Sequence, residues 1–232
     1  MNVVRVRCLL CGDQFCVLMA SGALTLLPAP AATEAERLAN FEAATKTVKA
    51  SSPVLAIFKK VASHDASLTA LELSGTIAHI NAEFAMSWPD QRKSAALGLL
   101  CGSPFVTHVN LIGCNLSDKP ARAIAMALGA GSVVQVLNLE RNRLGEVGLL
   151  EIARGLQENT SLRELRLTGN TITTAVQVAF AELLDGGGAS GLTILSPPCR
   201  NANEDRRVQA ALARNMDALR KRRNEAAKNE RV

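Results

Sequence analysis

The chain has 232 residues, 48% apolar and 20% charged, so it can bury a packed core, and wholesale disorder is excluded. Rings make up only 3%, with no tyrosine and the single tryptophan Trp88, which argues against an antibody-like sandwich and against the platforms on which single-stranded nucleic acid stacks. The net charge of +5 resides in the tail: from Arg200 onward there are ten Lys or Arg against five Asp or Glu, while the first 199 residues carry 16 of each.

Residues 1–32 read as an apolar leader. Arg5 and Arg7 precede an apolar stretch from Phe15 to Leu27 that ends in Pro28-Ala29-Pro30-Ala31, the layout of a secretory signal. Asp13 and Gln14 interrupt that layout, and Gly22 and Pro28 disfavour a helix, so a disordered leader is weighed ahead of a targeting segment. The run is shorter than the ~20 apolar residues of a membrane span, and no membrane partner is expected. Cys8, Cys11 and Cys16 crowd this segment, while Cys101, Cys114 and Cys199 lie far apart. Six cysteines are too sparse for a disulfide scaffold and fit free thiols in a reducing, cytoplasmic compartment. A zinc site at Cys8-x-x-Cys11 would lack its second pair of ligands, and no His is near, so no metal is expected.

Residues 33–66 read as a helical N-terminal cap. Leu38, Phe41, Val48, Leu55, Phe58 and Val61 supply the apolar face of one or two helices there.

From residue 67 to residue 199 the chain repeats itself. Val106, Val109, Leu111, Cys114 and Leu116 occupy relative positions 1, 4, 6, 9 and 11. Val134, Leu137, Leu139, Asn142 and Leu144 occupy the same positions 28 residues later, and Leu162, Leu165, Leu167, Asn170 and Ile172 do so after another 28. This is the leucine-rich repeat pattern, in which a short strand buries positions 1, 4 and 6 and an Asn or Cys serves the turn. Apolar stripes at helical spacing follow each strand: Ile124, Ala125 and Leu128; Ile152, Ala153 and Leu156; Phe180, Ala181 and Leu184. An earlier repeat starts at Leu68, Leu71 and Leu73 with Thr76 in the turn, and is 38 residues long through an insertion holding Trp88 and Pro89. Its helix resumes at Ala96, Leu97 and Leu100. A degenerate last strand at Leu192 and Leu195 runs into Pro197-Pro198, with Val208 and Leu212 on the following helix. Residues 200–232 then close the solenoid with that helix and a basic cap.

The expected fold is therefore α/β: a right-handed leucine-rich repeat solenoid of the ribonuclease-inhibitor type. It has short parallel strands on the concave side, helices on the convex side, about five repeats and helical caps at both ends. Side chains in the outward strand phase are Thr107, His108 and Asn110, then Gln135, Val136 and Asn138, then Arg163, Glu164 and Arg166, with Glu140, Arg141 and Thr168 just beyond. They mix both charges, as protein-binding faces do. Nucleic acid is not expected as a partner, because the body is neutral and phosphate affinity needs several basic contacts.

The chain contains no H-E-x-x-H, Walker loop or G-x-S-x-G, and its three histidines are His64, His79 and His108. Neither catalysis nor a cofactor is expected. Gly186-Gly187-Gly188 with Gly191 follows a helix and precedes a strand, the reverse of a phosphate loop, and reads as a helix C-cap and connection.

The stretch Leu137-Asn138-Leu139-Glu140-Arg141-Asn142, continuing through Glu151-Ile152-Ala153 to Gln157-Glu158-Asn159-Thr160-Ser161-Leu162-Arg163-Glu164-Leu165-Arg166-Leu167, resembles the C-terminal leucine-rich domain of tropomodulins and leiomodins. A closing helix with Asn215, Asp217 and the run Arg220-Lys221-Arg222-Arg223 matches the end of that family's domain. The resemblance covers residues 106–223, about half the chain. It implies binding of actin at the slow-growing pointed end, a cytoskeletal association and a monomeric, non-enzymatic scaffold. The partner-binding residues it suggests are Asn138, Glu140, Arg141, Arg163, Glu164, Arg166 and Arg220, Lys221, Arg222, Arg223. The family's N-terminal half, which binds tropomyosin, has no counterpart in the Ala-rich residues before the first repeat, so tropomyosin is not an expected partner. Pro197, Pro198 and the Gly186–Gly188 loop also depart from the family pattern. The competing expectation is a general adaptor for a non-actin partner, whether cytoskeletal, signalling or nuclear.

Overall fold

The structure, a computed structural model, describes residues 3–7, 14–20, 23–27, 33–73, 82–129 and 131–229. Thr76 and His79, and the thiols of Cys8, Cys11 and Cys16, lie outside what it describes. The chain divides into two compact units, residues 1–36 and residues 37–232. In the first unit β1 (Val3–Arg7), β2 (Gln14–Ala20) and β3 (Ala23–Leu27) form an antiparallel sheet in the order β1-β2-β3. Its registers include Val4 opposite Val17 and Val17 opposite Leu26.

Two helices, α1 (Glu34–Thr45) and α2 (Pro53–Ala62), occupy the stretch expected to be the N-terminal cap. α1 opens with a capping box: the Thr33 amide donates to Glu36 Oε2 at 2.8 Å, and the Glu36 amide donates to Thr33 Oγ1 at 3.2 Å. Ser52 caps α2 by accepting the Leu55 amide at 3.0 Å, and Pro53 follows where a missing N–H does no harm. The insertion supplies a π-helical turn at Glu83–Ser87 before α3 (Asp90–Leu97). Phe84 and Trp88 of that insertion pack against Phe58, at ring-centroid separations of 5.7 and 5.9 Å, and Phe41 lies 6.3 Å from Phe58. The few rings of this chain are thus concentrated where the solenoid begins and an open end of the core must be covered.

The repeats form a five-stranded parallel sheet in sequence order: β4 (Ala70–Glu72), β5 (His108–Asn110), β6 (Val136–Asn138), β7 (Glu164–Arg166) and β8 (Ile194–Ser196). Leu71, Val109, Leu137, Leu165 and Leu195 stand in register across it, so position 4 of every repeat lies in one row. The strands alternate with α4 (Asp118–Ala127), α5 (Glu146–Gly155), α6 (Thr174–Asp185) and α7 (Ala202–Asn229). Between the two layers, Leu111, Leu139, Leu144, Leu149, Ile152, Leu156 and Leu162 are fully buried.

The turn positions carry out the hydrogen bonding expected of them. Asn142 Nδ2 donates to the carbonyls of Leu111 and Leu139, both at 2.9 Å, while Oδ1 accepts the Leu116 amide at 3.1 Å. Asn170 repeats this one turn on, donating to Leu139 at 2.9 Å and Leu167 at 2.8 Å and accepting from the Leu144 amide at 3.1 Å. The helix N-termini form a second ladder. Ser117 donates to Asp90 at 2.5 Å, the Gly145 amide to Asp118 at 2.7 Å and Thr173 to Glu146 at 2.6 Å. Each carboxylate lies in the first turn of its helix, where the macrodipole favours negative charge, and binds the entry of the next helix.

Candidate functional site

Strand side chains alternate between sides, and residues of β4–β8 one position either side of the buried row face away from the helices. One row runs Ala70, His108, Val136, Glu164, Ile194, and the next runs Glu72, Asn110, Asn138, Arg166, Ser196. Asn110 Nδ2 donates to Glu72 Oε2 at 2.9 Å, and Arg166 forms an ion pair with Glu164 on its own strand. Ile194 is 49% exposed at the end of the first row. Polar pairs with an apolar neighbour give this surface the mixed character of a protein contact rather than a phosphate-binding track. Glu72 and Ile194 escaped the sequence reading, although Ile194 stands at the same repeat position as His108, Val136 and Glu164; the degenerate outer strands concealed them.

Two expected contact residues do not stand free on that face. Asn138 is 9% exposed, and its Oδ1 accepts the Glu140 amide at 2.9 Å, closing the turn that follows β6. A short polar side chain flanked by Asn110 and Arg166 is covered where a longer one would protrude. Arg163 shares the phase of Leu165, not that of Glu164 and Arg166, and leaves the sheet face altogether. Its half-buried guanidinium donates through Nη1 to the Thr160 carbonyl at 2.8 Å. It also occupies space at Gly191, where a Cβ would lie 1.9 Å from that nitrogen.

Glu140 and Arg141 follow β6 at the rim of the face. Arg141 is exposed with φ +54, and the equivalent turns place Gly113 and Gly169 in the same left-handed region at +66 and +81. A non-glycine residue there carries about 1 kcal/mol of strain. The Arg141 amide secures the turn by donating to the Thr168 carbonyl at 2.8 Å.

The closing helix α7 buries Val208, Ala211 and Leu212, after which most of its side chains emerge into solvent. Asn215 is its last hydrogen-bonded anchor on the solenoid among the described residues, donating to the carbonyls of Ala189 at 3.2 Å and Leu192 at 2.8 Å. Arg220, Lys221, Arg222 and Arg223 are exposed, with Arg220 3.7 Å from Asp217. Of the ten expected residues, then, the structure pairs Glu164 with Arg166 and turns Arg163 onto the Thr160 carbonyl. Burial holds Arg163 below the usual arginine range, and the charge of Arg222 lowers it further.

The remaining titratable groups point to architecture and not to chemistry. Lys93 is 1% exposed and spends its three donors on the carbonyls of Ala85, Cys114 and Asn115, each at 3.0 Å. Burial lowers its affinity for the proton, partly offset by Asp90. The Cys114 thiol donates to the Leu73 carbonyl at 3.3 Å and is pushed up to about 12 by burial, with Lys93 opposing, so it is an inert thiol at neutral pH. Among the described residues no cluster of His, Cys, Asp and Glu is arranged to hold a metal ion. No described helix is long and apolar enough to cross a membrane.

The Leucine Rich repeat family matches residues 158–175 of the chain. Two solved structures share the fold over most of its length. Actin-binding site 2 of leiomodin-1 is 24% identical with a TM-score of 0.68, over 78% of this chain and 99% of that one. The C-terminal domain of a Caenorhabditis elegans tropomodulin is 19% identical with a TM-score of 0.64, over 75% of this chain and 99% of that one. The chain is thus similar in fold to the leucine-rich domains of tropomodulin and leiomodin.

Proposed function

We propose that this chain is a non-enzymatic scaffold that binds actin and caps the filament at its pointed end. The observation that carries this reading is the likeness in fold to a domain described as an actin-binding site, extending over 99% of that domain. The surface groups support it: the Glu164–Arg166 pair and the apolar Ile194 on the sheet face, Arg141 at the rim, and the exposed run Arg220–Arg223 on the closing helix. A basic helix suits an acidic partner such as actin. Capping in this picture is steric, because a filament end covered by the solenoid neither gains nor loses subunits. The scaffold acts as a monomer in the cytoplasm, associated with the cytoskeleton and without tropomyosin.

The test is elongation at the pointed end of gelsolin-capped actin seeds, with and without micromolar protein. Slowed elongation that weakens with salt, and weakens again when Arg220–Arg223 are replaced by Ala, is the expected result. Unchanged elongation by a folded protein overturns the capping reading, and co-sedimentation with filaments then decides whether side binding remains.

A further inference from the structure

The repeat position just ahead of the turn asparagine is glycine three times, at Gly75, Gly113 and Gly169, and arginine once, at Arg141. Glycine suits it because the backbone is left-handed there, with φ +66 at Gly113 and +81 at Gly169, and Arg141 holds the same conformation at +54. The other described non-glycine residues in this region have local occupations. Asn115 donates to the Ala85 carbonyl at 3.3 Å, Ala189 is buried, and His64 engages partners of its own. Arg141 is exposed, and its guanidinium makes no ion pair or hydrogen bond among the described residues. Neither a bond from the guanidinium nor burial of it offsets the strain within the fold.

The backbone beneath this side chain is pinned to both neighbouring repeats. The Glu140 amide donates to Asn138 Oδ1 at 2.9 Å, the Glu140 carbonyl accepts the Gly113 amide at 2.9 Å, and the Arg141 amide donates to the Thr168 carbonyl at 2.8 Å. Gly169 leaves room for the stem of the arginine: a Cβ there would lie 3.2 Å from Arg141 Cα and 3.3 Å from its Cγ. The base of the side chain is thus fixed while its head is unspent, which reduces the entropy lost when the head is engaged. The charges nearby leave it so. Glu140, half-buried, forms no ion pair with it, Arg143 Nη1 lies 3.5 Å from Asn115 Oδ1, and Glu164 and Arg166 pair with each other.

We propose that Arg141 is the anchor of the rim, taking an Asp or Glu carboxylate of a protein partner into its guanidinium fork, and that the strained turn is retained for this contact. The proposal rests on the preceding reading and deepens it by naming the group recognised, a carboxylate on the surface of actin. A protein carboxylate is favoured over a nucleic-acid backbone because a single guanidinium beside Glu140 offers no track of basic contacts.

The test pairs binding with stability in the full chain. Binding is read as the protein concentration that halves pointed-end elongation of gelsolin-capped actin seeds, or as filament co-sedimentation should elongation be unchanged. Arg141→Gly and Arg141→Asn both suit a left-handed turn. Each is expected to raise that concentration about tenfold while the urea midpoint stays level or rises. Arg143→Ala removes an equal charge two residues away and is expected to shift binding by less than about twofold. If the wild type binds and both Arg141 variants bind as tightly, or Arg143→Ala loses as much as they do, the anchor is overturned and the actin reading stands. A urea midpoint lowered in both Arg141 variants assigns the residue to the stability of the turn and also overturns the anchor. If the wild type neither slows elongation nor co-sediments with filaments, the actin reading falls and the anchor with it.

Discussion

Replacing Gly155 with alanine adds one methyl group at the point where α5 crosses closest to α4. The new Cβ would lie 2.2 Å from the Ala125 carbonyl oxygen, 2.8 Å from its carbon and 2.9 Å from its Cα. All three atoms are backbone, so no side chain can turn aside; α4 and α5 must separate by about 1 Å to reach ordinary contact distance. Two effects compete. Alanine stabilises a helix over glycine by up to about 1 kcal/mol, and by less here because Gly155 ends its helix. Overpacking a close-packed interface costs about 1–3 kcal/mol, and a separation of helices is passed on to the flanking repeats. The expected net loss is about 1–2 kcal/mol, read as a urea midpoint by circular dichroism and as a fall of roughly 2–8 °C in Tm. Gly98→Ala is the matched control, since its Cβ would meet nothing within 4 Å and its φ is −61. If Gly155→Ala proves as stable as the control, helix approach in this solenoid is not limited by Gly155, and the packing argument fails.

Asn142→Ala removes the donors to Leu111 and Leu139 and the acceptor for Leu116; the expected destabilisation is about 3 kcal/mol, measured by urea unfolding, and exceeds that of Asn170→Ala because Asn142 is the more deeply buried. Asp118→Ala releases the Gly145 amide and a helix-start charge, lowering stability by about 1–2 kcal/mol, with Asp118→Asn recovering part of the loss in the same assay. The Cys114 thiol titrates near 12 in the folded chain against 9.0 ordinarily, so its contribution is intact below pH 9 and declines as pH rises towards 12. Relative to Cys114→Ser, the wild type is expected to lose up to about 1.4 kcal/mol per pH unit in that window. Lys93, with its proton affinity lowered by burial, acts in the opposite sense below 10.5, and because its charge and the thiol influence each other the difference reports the coupled pair, with the thiol setting its sign above pH 9. A flat difference between pH 9 and 11 refutes the burial of Cys114.

The repeat was legible in the sequence because each unit contacts chiefly its neighbours, so the same residue types must recur at the same offsets. Val109, Leu137 and Leu165 are 28 residues apart in the chain and adjacent across the sheet, which is why periodicity alone located the strands, the turn asparagines and the helical stripes. The segment before Thr33 was less legible: its apolar run suggested a leader, and the structure places β2 and β3 across it. What only the tertiary structure decided lies between repeats or at their ends. Asp90, Asp118 and Glu146 share the 28-residue register, yet each acts on a hydroxyl or amide contributed by the next helix entry. Nothing in the repeat pattern singles out Lys93, which the insertion and the turn after β5 enclose with three carbonyls. Asn138 and Arg163 were expected on the open face by strand phase, and hydrogen bonds to the adjoining turns drew one under cover and the other onto the Thr160 carbonyl. Periodicity specifies which side of a strand a residue leaves from; where its polar atoms come to rest depends on partners that the rest of the chain brings to that point.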